Sequence, residues 1–185
     1  MKLRSFGIAF LAMILSGAAM AQLPRDTEVP PGALDEADAL FIQDANTSNI
    51  TQIVLGRKAA ANATNPGIHS LADRIVSSHV KADQALQMLA SRKHVDVPRR
   101  PTAEDQGEID AVSNHRRGGE FDADYMRTII NDHDRMIAMY QEARAQSEDP
   151  DIRYYADVML PALRENREQA IALQNRQLGS NAPTP

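Results

Sequence analysis

Residues 68–89 read IHSLADRIVSSHVKADQALQML, and their apolar side chains fall at Ile68, Leu71, Ala72, Ile75, Ala82, Leu86 and Leu89. Steps of three and four place these positions on one stripe of an α-helix that faces a core. His79 sits at the centre of that stripe. A helix of this kind is stable only against partners with matching faces, and the chain supplies three more. One carries Phe41, Ala45, Asn49, Gln52, Ile53, Gly56, Ala59 and Ala63, a stripe interrupted by two amides. Another carries Tyr125, Ile129, His133, Met136, Tyr140 and Ala143, again with a histidine at its centre. The last carries Ile152, Ala156, Met159, Leu160, Leu163, Ala170 and Leu173, with Asn166 at its edge.

Breakers set the limits of these helices. The first is predicted over about residues 35–63 and is ended by Asn65-Pro66-Gly67. The second runs over about 68–92, before a linker with two prolines. Thr102, with Asp105 three residues on, caps a short helix reaching about Asn114, and Gly118-Gly119 ends it. The third long helix spans about 122–146. Asp149-Pro150 separates it from the fourth, with proline at a favoured first-turn position, and Gly179 is expected to stop that fourth helix at about 178. Shifting the chain by 84 positions pairs Ala59 with Ala143, Ala61 with Ala145, Pro66 with Pro150, Ile68 with Ile152, Ala72 with Ala156 and Asp73 with Asp157. Each half thus reads as one helical hairpin. Two hairpins joined by a long segment make an all-α, four-helix bundle whose crossover contains a short extra helix.

Composition agrees. Hydrophobic residues make up 43% of the 185 residues and aromatic residues 4%, with neither Trp nor Cys. Ala, Leu, Ile and Met therefore fill the core, and they favour helix over sheet. Residues 1–21 have the pattern of a signal peptide: Lys2 and Arg4, an apolar run from Phe6 to Ala19, then Ala19-Met20-Ala21 before Gln22. The alternative, a membrane anchor, needs about 20 apolar residues, and the run is shorter. Export to the periplasm is the expectation. Residues 22–34 form a flexible leader, 35–178 the bundle, and 179–185 a disordered tail. Removing the signal peptide leaves 18 basic against 25 acidic side chains. That balance does not suit nucleic acid or anionic lipid, and no second stretch is apolar enough to span a membrane. Exposed roles are assigned to His69, His94 and His115, and core filling to the methionines. Pro161 lies within the fourth long helix and predicts a kink one turn before Asn166.

Height along the bundle brings four polar residues together. Gln52 and His79 lie about 20 Å from the first hairpin turn at 1.5 Å per residue. His133 and Asn166 lie at a similar height from the second turn, so all four meet near the waist. Buried polar groups cost a few kcal/mol unless they find partners. One reading is a polar layer in which the histidine pair bonds to Gln52 and Asn166. A second is a divalent metal site on His79 and His133, with Asp83 one turn further along as an added neighbour. A third is a catalytic histidine. The metal reading lacks the Glu-x-x-His pairs of di-iron bundles, since Val76 and Ile130 stand three residues before the histidines. Asp132 and Asp134 flank His133 and are expected to point sideways. No nucleophile motif or phosphate loop is present.

Several short runs, in order, carry a family resemblance: Ala45-Asn46, Gln52-Ile53, Leu55-Gly56, Leu71-Ala72, Ser78-His79-Val80-Lys81-Ala82, Leu89-Ala90, Phe121-Asp122, Tyr125-Met126, Asn131-Asp132-His133 and Leu160-Pro161-Ala162-Leu163. Over about residues 35–176 the chain resembles the bacterial family called domain of unknown function 4142. The resemblance implies a ferritin-like four-helix bundle of the periplasm, in a family that sometimes carries an outer-membrane label, and no established reaction. It also implies Glu where this chain has Gln52 and His where it has Asn166, while His79 and His133 match. A metal site built on the family pattern would thus bind weakly or not at all here. The expected function is a non-enzymatic envelope protein that binds a protein or small-molecule partner or acts in envelope stress; the alternative is a metal-binding or redox bundle using the central histidine pair.

Overall fold

The computed structural model describes residues 34–115 and 117–180. The expected signal peptide, almost all of the expected leader and the last five residues of the expected tail lie outside the described residues. The described chain forms five helices: α1 Glu36–Asn62, α2 Pro66–Lys93, α3 Ala103–Ser113, α4 Gly119–Gln146 and α5 Pro150–Ser180. α5 continues through Gly179 to Ser180, past the stop that glycine predicts. Gly119 likewise begins α4 rather than ending the segment before it, with Gly118 at φ 134°, a conformation open to glycine.

Local chemistry explains the other boundaries. Asp35 caps α1 by accepting from the backbone N–H of Ala37. Asn65 caps α2 by accepting from Gly67 N–H at 2.8 Å, and Pro66 occupies the first turn. Thr102 and Asp105 form a reciprocal capping box on α3. Asp149 caps α5 by accepting from Asp151 N–H at 2.9 Å. The caps Asn65 and Asp149 are themselves 84 positions apart, and Ile68, Ile152, Ala72 and Ala156 are all fully buried. The internal similarity thus extends to the turn chemistry and to the core positions just beyond it.

α1 packs along α2 and α4 along α5, as two hairpins. The hairpins meet through α1 against α4 and α2 against α5, and α3 lies across α1 and α4. The apolar core divides into two clusters. One joins Phe41, Ala45, Leu86, Met136, Tyr140, Ile152 and Leu160, and the other joins Leu55, Ala59, Ile68, Ile75, Ile129, Tyr125 and Ala170. The start of α1 and the end of α4 share the first cluster, while the end of α1 and the start of α4 share the second. The two hairpin turns therefore lie at opposite ends, and the segment carrying α3 runs back along the bundle. That is the crossover connection of ferritin-like folds.

α1 and α2 approach closely at Gly56. A Cβ there would lie 2.6 Å from Val76 Cγ2 and 3.2 Å from the Ala72 carbonyl oxygen. Gly56→Ala is therefore expected to lower stability by about 1–2 kcal/mol through overpacking. A fall in the urea midpoint measures this, and an unchanged midpoint would mean that the helices do not touch there. The turn after α1 has its own anchor in Asp122. This buried carboxylate accepts from Thr64 N–H, Thr64 Oγ1–H and Asn65 N–H.

Candidate metal centre at the waist of the bundle

Between the two apolar clusters lies a polar layer. Asn49 and Gln52 from α1, His79 from α2, Asp132 and His133 from α4 and Asn166 from α5 are each 5% exposed or less. His79 falls between Ile75 and Leu86 of its stripe, and His133 between Ile129 and Met136 of its own. The imidazole rings lie edge to face, with centroids 5.5 Å apart and planes at 85°.

Both rings are held through Nδ1. His79 Nδ1 bonds to Asn49 Oδ1 at 2.8 Å, and His133 Nδ1 to the carbonyl oxygen of Ile129 at 2.9 Å. A carbonyl only accepts, so Nδ1 of each ring carries the proton and donates. Nε2 of each neutral ring is then a bare lone pair. Among the described residues neither His79 Nε2 nor His133 Nε2 has a hydrogen-bond partner, and Gln52 Oε1 also lacks one. Burial, together with the neighbouring His133, pushes the His79 pKa down to about 3. Burial pushes His133 down to about 4, against the opposing pull of the Ile129 carbonyl and Asp134. Both rings are neutral at pH 7.

Partners differ from those expected. Gln52 donates through Nε2 to Asp132 Oδ2 at 2.7 Å rather than to a histidine. Asn166 donates to Ser78 Oγ at 3.1 Å. Asn49, placed on the stripe without a role, is the residue that orients His79, and it also donates to Tyr155 Oη at 3.4 Å. Asp83 accepts from Asn46 at 2.9 Å and Gln87 at 2.7 Å, and so is occupied away from the rings. Asp132 does not point sideways into solvent: it is 5% exposed and paired with Gln52 and Arg135. The reason is that α4 touches both α1 and α3, which buries a wider arc than one stripe. Burial and the charge of Glu108 push the Asp132 pKa up to about 7, with Arg135 and Gln52 pulling the other way. Asp134 is exposed and pairs with Arg167, as its position predicts.

The remaining histidines stand apart. His115 is half-buried and pairs with Asp124 at 2.5 Å, and His69 is half-buried at the start of α2, so neither is as exposed as expected. His94 is exposed and closes α2 in the left-handed conformation at φ 56°. Pro161 faces solvent within the continuous α5. No group of three or more His, Cys, Asp or Glu among the described residues could hold a metal ion.

Two hairpins, a crossover and a polar waist define a ferritin-like helical bundle. The chain belongs to the family described as Domain of unknown function (DUF4142), which matches over residues 23–173. A solved structure of a DUF305 fragment from Deinococcus radiodurans is similar at TM-score 0.68 and 14% identity, covering 77% of this chain and 98% of that one. A candidate spore coat protein from Bacillus halodurans C-125 is similar at TM-score 0.60 and 15% identity, covering 82% of this chain and 94% of that one. These likenesses show the fold. No curated protein matches the chain. Among the described residues no helix is long and apolar enough to cross a membrane.

Proposed function

We propose that the protein is an exported, non-enzymatic ion-binding bundle in which His79 and His133 hold one cuprous ion through Nε2. The observation that carries this reading is the pair of buried, bare Nε2 atoms on rings anchored through Nδ1. Metal-ligating histidines are oriented in that way, with the other nitrogen donating to a carbonyl or amide oxygen. An ion at ordinary coordination distance lies about 3.2 Å from a ring centre, so centroids 5.5 Å apart are close enough for one ion to be shared by both rings. Gln52 Oε1, buried in the same layer and without a hydrogen-bond partner among the described residues, is the oxygen offered as a third donor.

The charge of the ion follows from the donors. Two imidazoles and an amide are neutral, so a divalent ion would leave two buried charges uncompensated and a monovalent ion only one. The change from family-pattern Glu to Gln52 thus weakens a divalent site while leaving a cuprous one. Imidazole is a normal ligand for copper. Export rests on the pattern of residues 1–21 alone. A second reading, a purely structural layer, draws on a cavity of about 20 Å³ bordered by His79, Asn49, Asn166 and Met159. That volume admits one water, which could satisfy a ring nitrogen.

Anaerobic titration with copper(I) against a colorimetric chelator separates the two. The ion-binding reading expects one equivalent per chain in the wild type and none in His79→Ala. No copper retained by the folded wild-type protein would leave the structural layer standing.

A further inference from the structure

The bare Nε2 of His79 exists in only one of two neutral tautomers. A neutral imidazole carries its proton on either nitrogen, and an asparagine can face it with either its oxygen or its NH2 group. Asn49 turned the other way would donate to Nδ1, move the ring proton to Nε2 and close the site to an ion. The choice between the two states is made behind Asn49, by a pair of buried tyrosines on α4 and α5.

The protons can be followed one bond at a time. Tyr155 Oη donates to the carbonyl oxygen of Ala82 at 3.2 Å. A carbonyl only accepts, so this bond uses the one hydroxyl proton that Tyr155 has. Towards its other neighbours Tyr155 Oη is therefore an acceptor. Asn49 lies 3.4 Å away and must present Nδ2 to it. Asn49 Oδ1 is then left for His79 Nδ1, at 2.8 Å, and the ring proton is held on Nδ1. Tyr140 Oη, 3.4 Å from Tyr155 Oη, donates to the same oxygen. Asn49, His79, Tyr140 and Tyr155 are all buried, so bulk water does not compete for these bonds. Turning the Asn49 amide over would set two acceptors against each other at Tyr155 and lose a buried hydrogen bond.

His133 has a simpler arrangement. Its Nδ1 donates straight to the backbone carbonyl of Ile129, which has no second orientation. Both rings thus trace back to a main-chain carbonyl, one directly and the other through two side chains.

We propose that Tyr155 is the positioning residue of the ion site: it passes the fixed polarity of the Ala82 carbonyl through Asn49 and keeps the His79 lone pair on Nε2. The inference rests on the ion-binding reading above. Tyr155 acts on the ion through Asn49 and His79, not by ligating it. Tyr140 donates into the chain but does not set its direction, because Tyr155 still donates to Ala82 and accepts from Asn49 without it.

Imidazole nitrogen chemical shifts of the metal-free, isotope-labelled protein at pH 7.5 test this, since a protonated and a bare ring nitrogen resonate far apart. In the wild type His79 and His133 are both expected as the Nδ1–H tautomer. In Tyr155→Phe the two nitrogens of His79 are expected to move towards each other as the tautomers mix, while those of His133 stay in place. Cuprous affinity is expected to fall about tenfold in the same variant. Tyr140→Phe also deletes a buried hydroxyl from this cluster, and is expected to leave both the His79 tautomer and the affinity unchanged. An Nε2–H tautomer of His79 in the wild type, an unchanged tautomer in Tyr155→Phe, or an equal change in both variants overturns the proposal. A wild-type protein that keeps the Nδ1–H tautomer yet retains no copper(I) ends the ion-binding reading alone.

Discussion

Replacing His133 with leucine is expected to raise the stability of the ion-free protein by about 1–3 kcal/mol and to lower cuprous affinity at least about 100-fold. The two effects have one cause. In the ion-free core His133 Nε2 is a buried polar atom without a partner, and its desolvation is uncompensated. Nδ1 donates to the Ile129 carbonyl, which also accepts the helical N–H of residue 133, so leucine leaves no new orphan. Leucine is close to histidine in volume and would join the two apolar clusters into one. His79→Leu is the contrasting case. It removes the donor to Asn49 Oδ1 and leaves that buried oxygen unsatisfied, so it is expected to destabilise. Urea midpoints at pH 7.5 measure both variants. A clear loss of stability in His133→Leu would show that the layer serves the fold rather than an ion.

The helices were legible because their signals are local. Stripes at Ile68 to Leu89 and Tyr125 to Ala143, proline and asparagine at the turns, and the Thr102–Asp105 pair each act over a few residues. The meeting of His79 with His133 was also legible, because helix rise and turn position fix height. The pairing within the layer was not. Whether His79 meets Asn49 or Gln52 depends on a rotation of α1 by less than one turn, which sequence spacing does not fix. The burial of Asp132 is hidden for the same reason: a single stripe on α4 does not show the second face that α3 covers. The surface cleft that Asp44, Asp105 and Asp132 share is hidden in the sequence because these residues lie on α1, α3 and α4 and become neighbours only through the crossover. The duplication signal found Pro66 and Pro150 yet missed their caps, since Asn65 and Asp149 do the same work with different side chains.

Acid is expected to unfold the ion-free protein with a slope that reports the layer directly. His79 and His133 have folded-state pKa values of about 3 and 4, below the ordinary 6.5. A depressed histidine favours the neutral folded form. Its contribution is fully present above pH 6.5 and is lost as pH falls towards the folded value. In that window unfolding takes up two protons at these rings. Asp132 acts in the opposite sense. Its folded value of about 7 lies above the ordinary 3.8, so the folded protein keeps a proton there that the unfolded chain releases. Net uptake is therefore one proton, and stability should fall by about 1.4 kcal/mol per pH unit from 6.5 towards 4. Asp38 and Asp83, both raised by burial, act in the same sense as Asp132, whereas Asp149, lowered by Lys93 against its own desolvation, acts below that range. Asp132→Asn removes the opposing term and should roughly double the slope to about 2.7 kcal/mol per unit. His133→Leu removes one histidine term and should flatten it nearly to zero. Urea midpoints collected between pH 7.5 and 4.5 decide the matter. A common slope in wild type, Asp132→Asn and His133→Leu would mean that the rings are hydrated, and the bare nitrogens on which the ion site depends would no longer be bare.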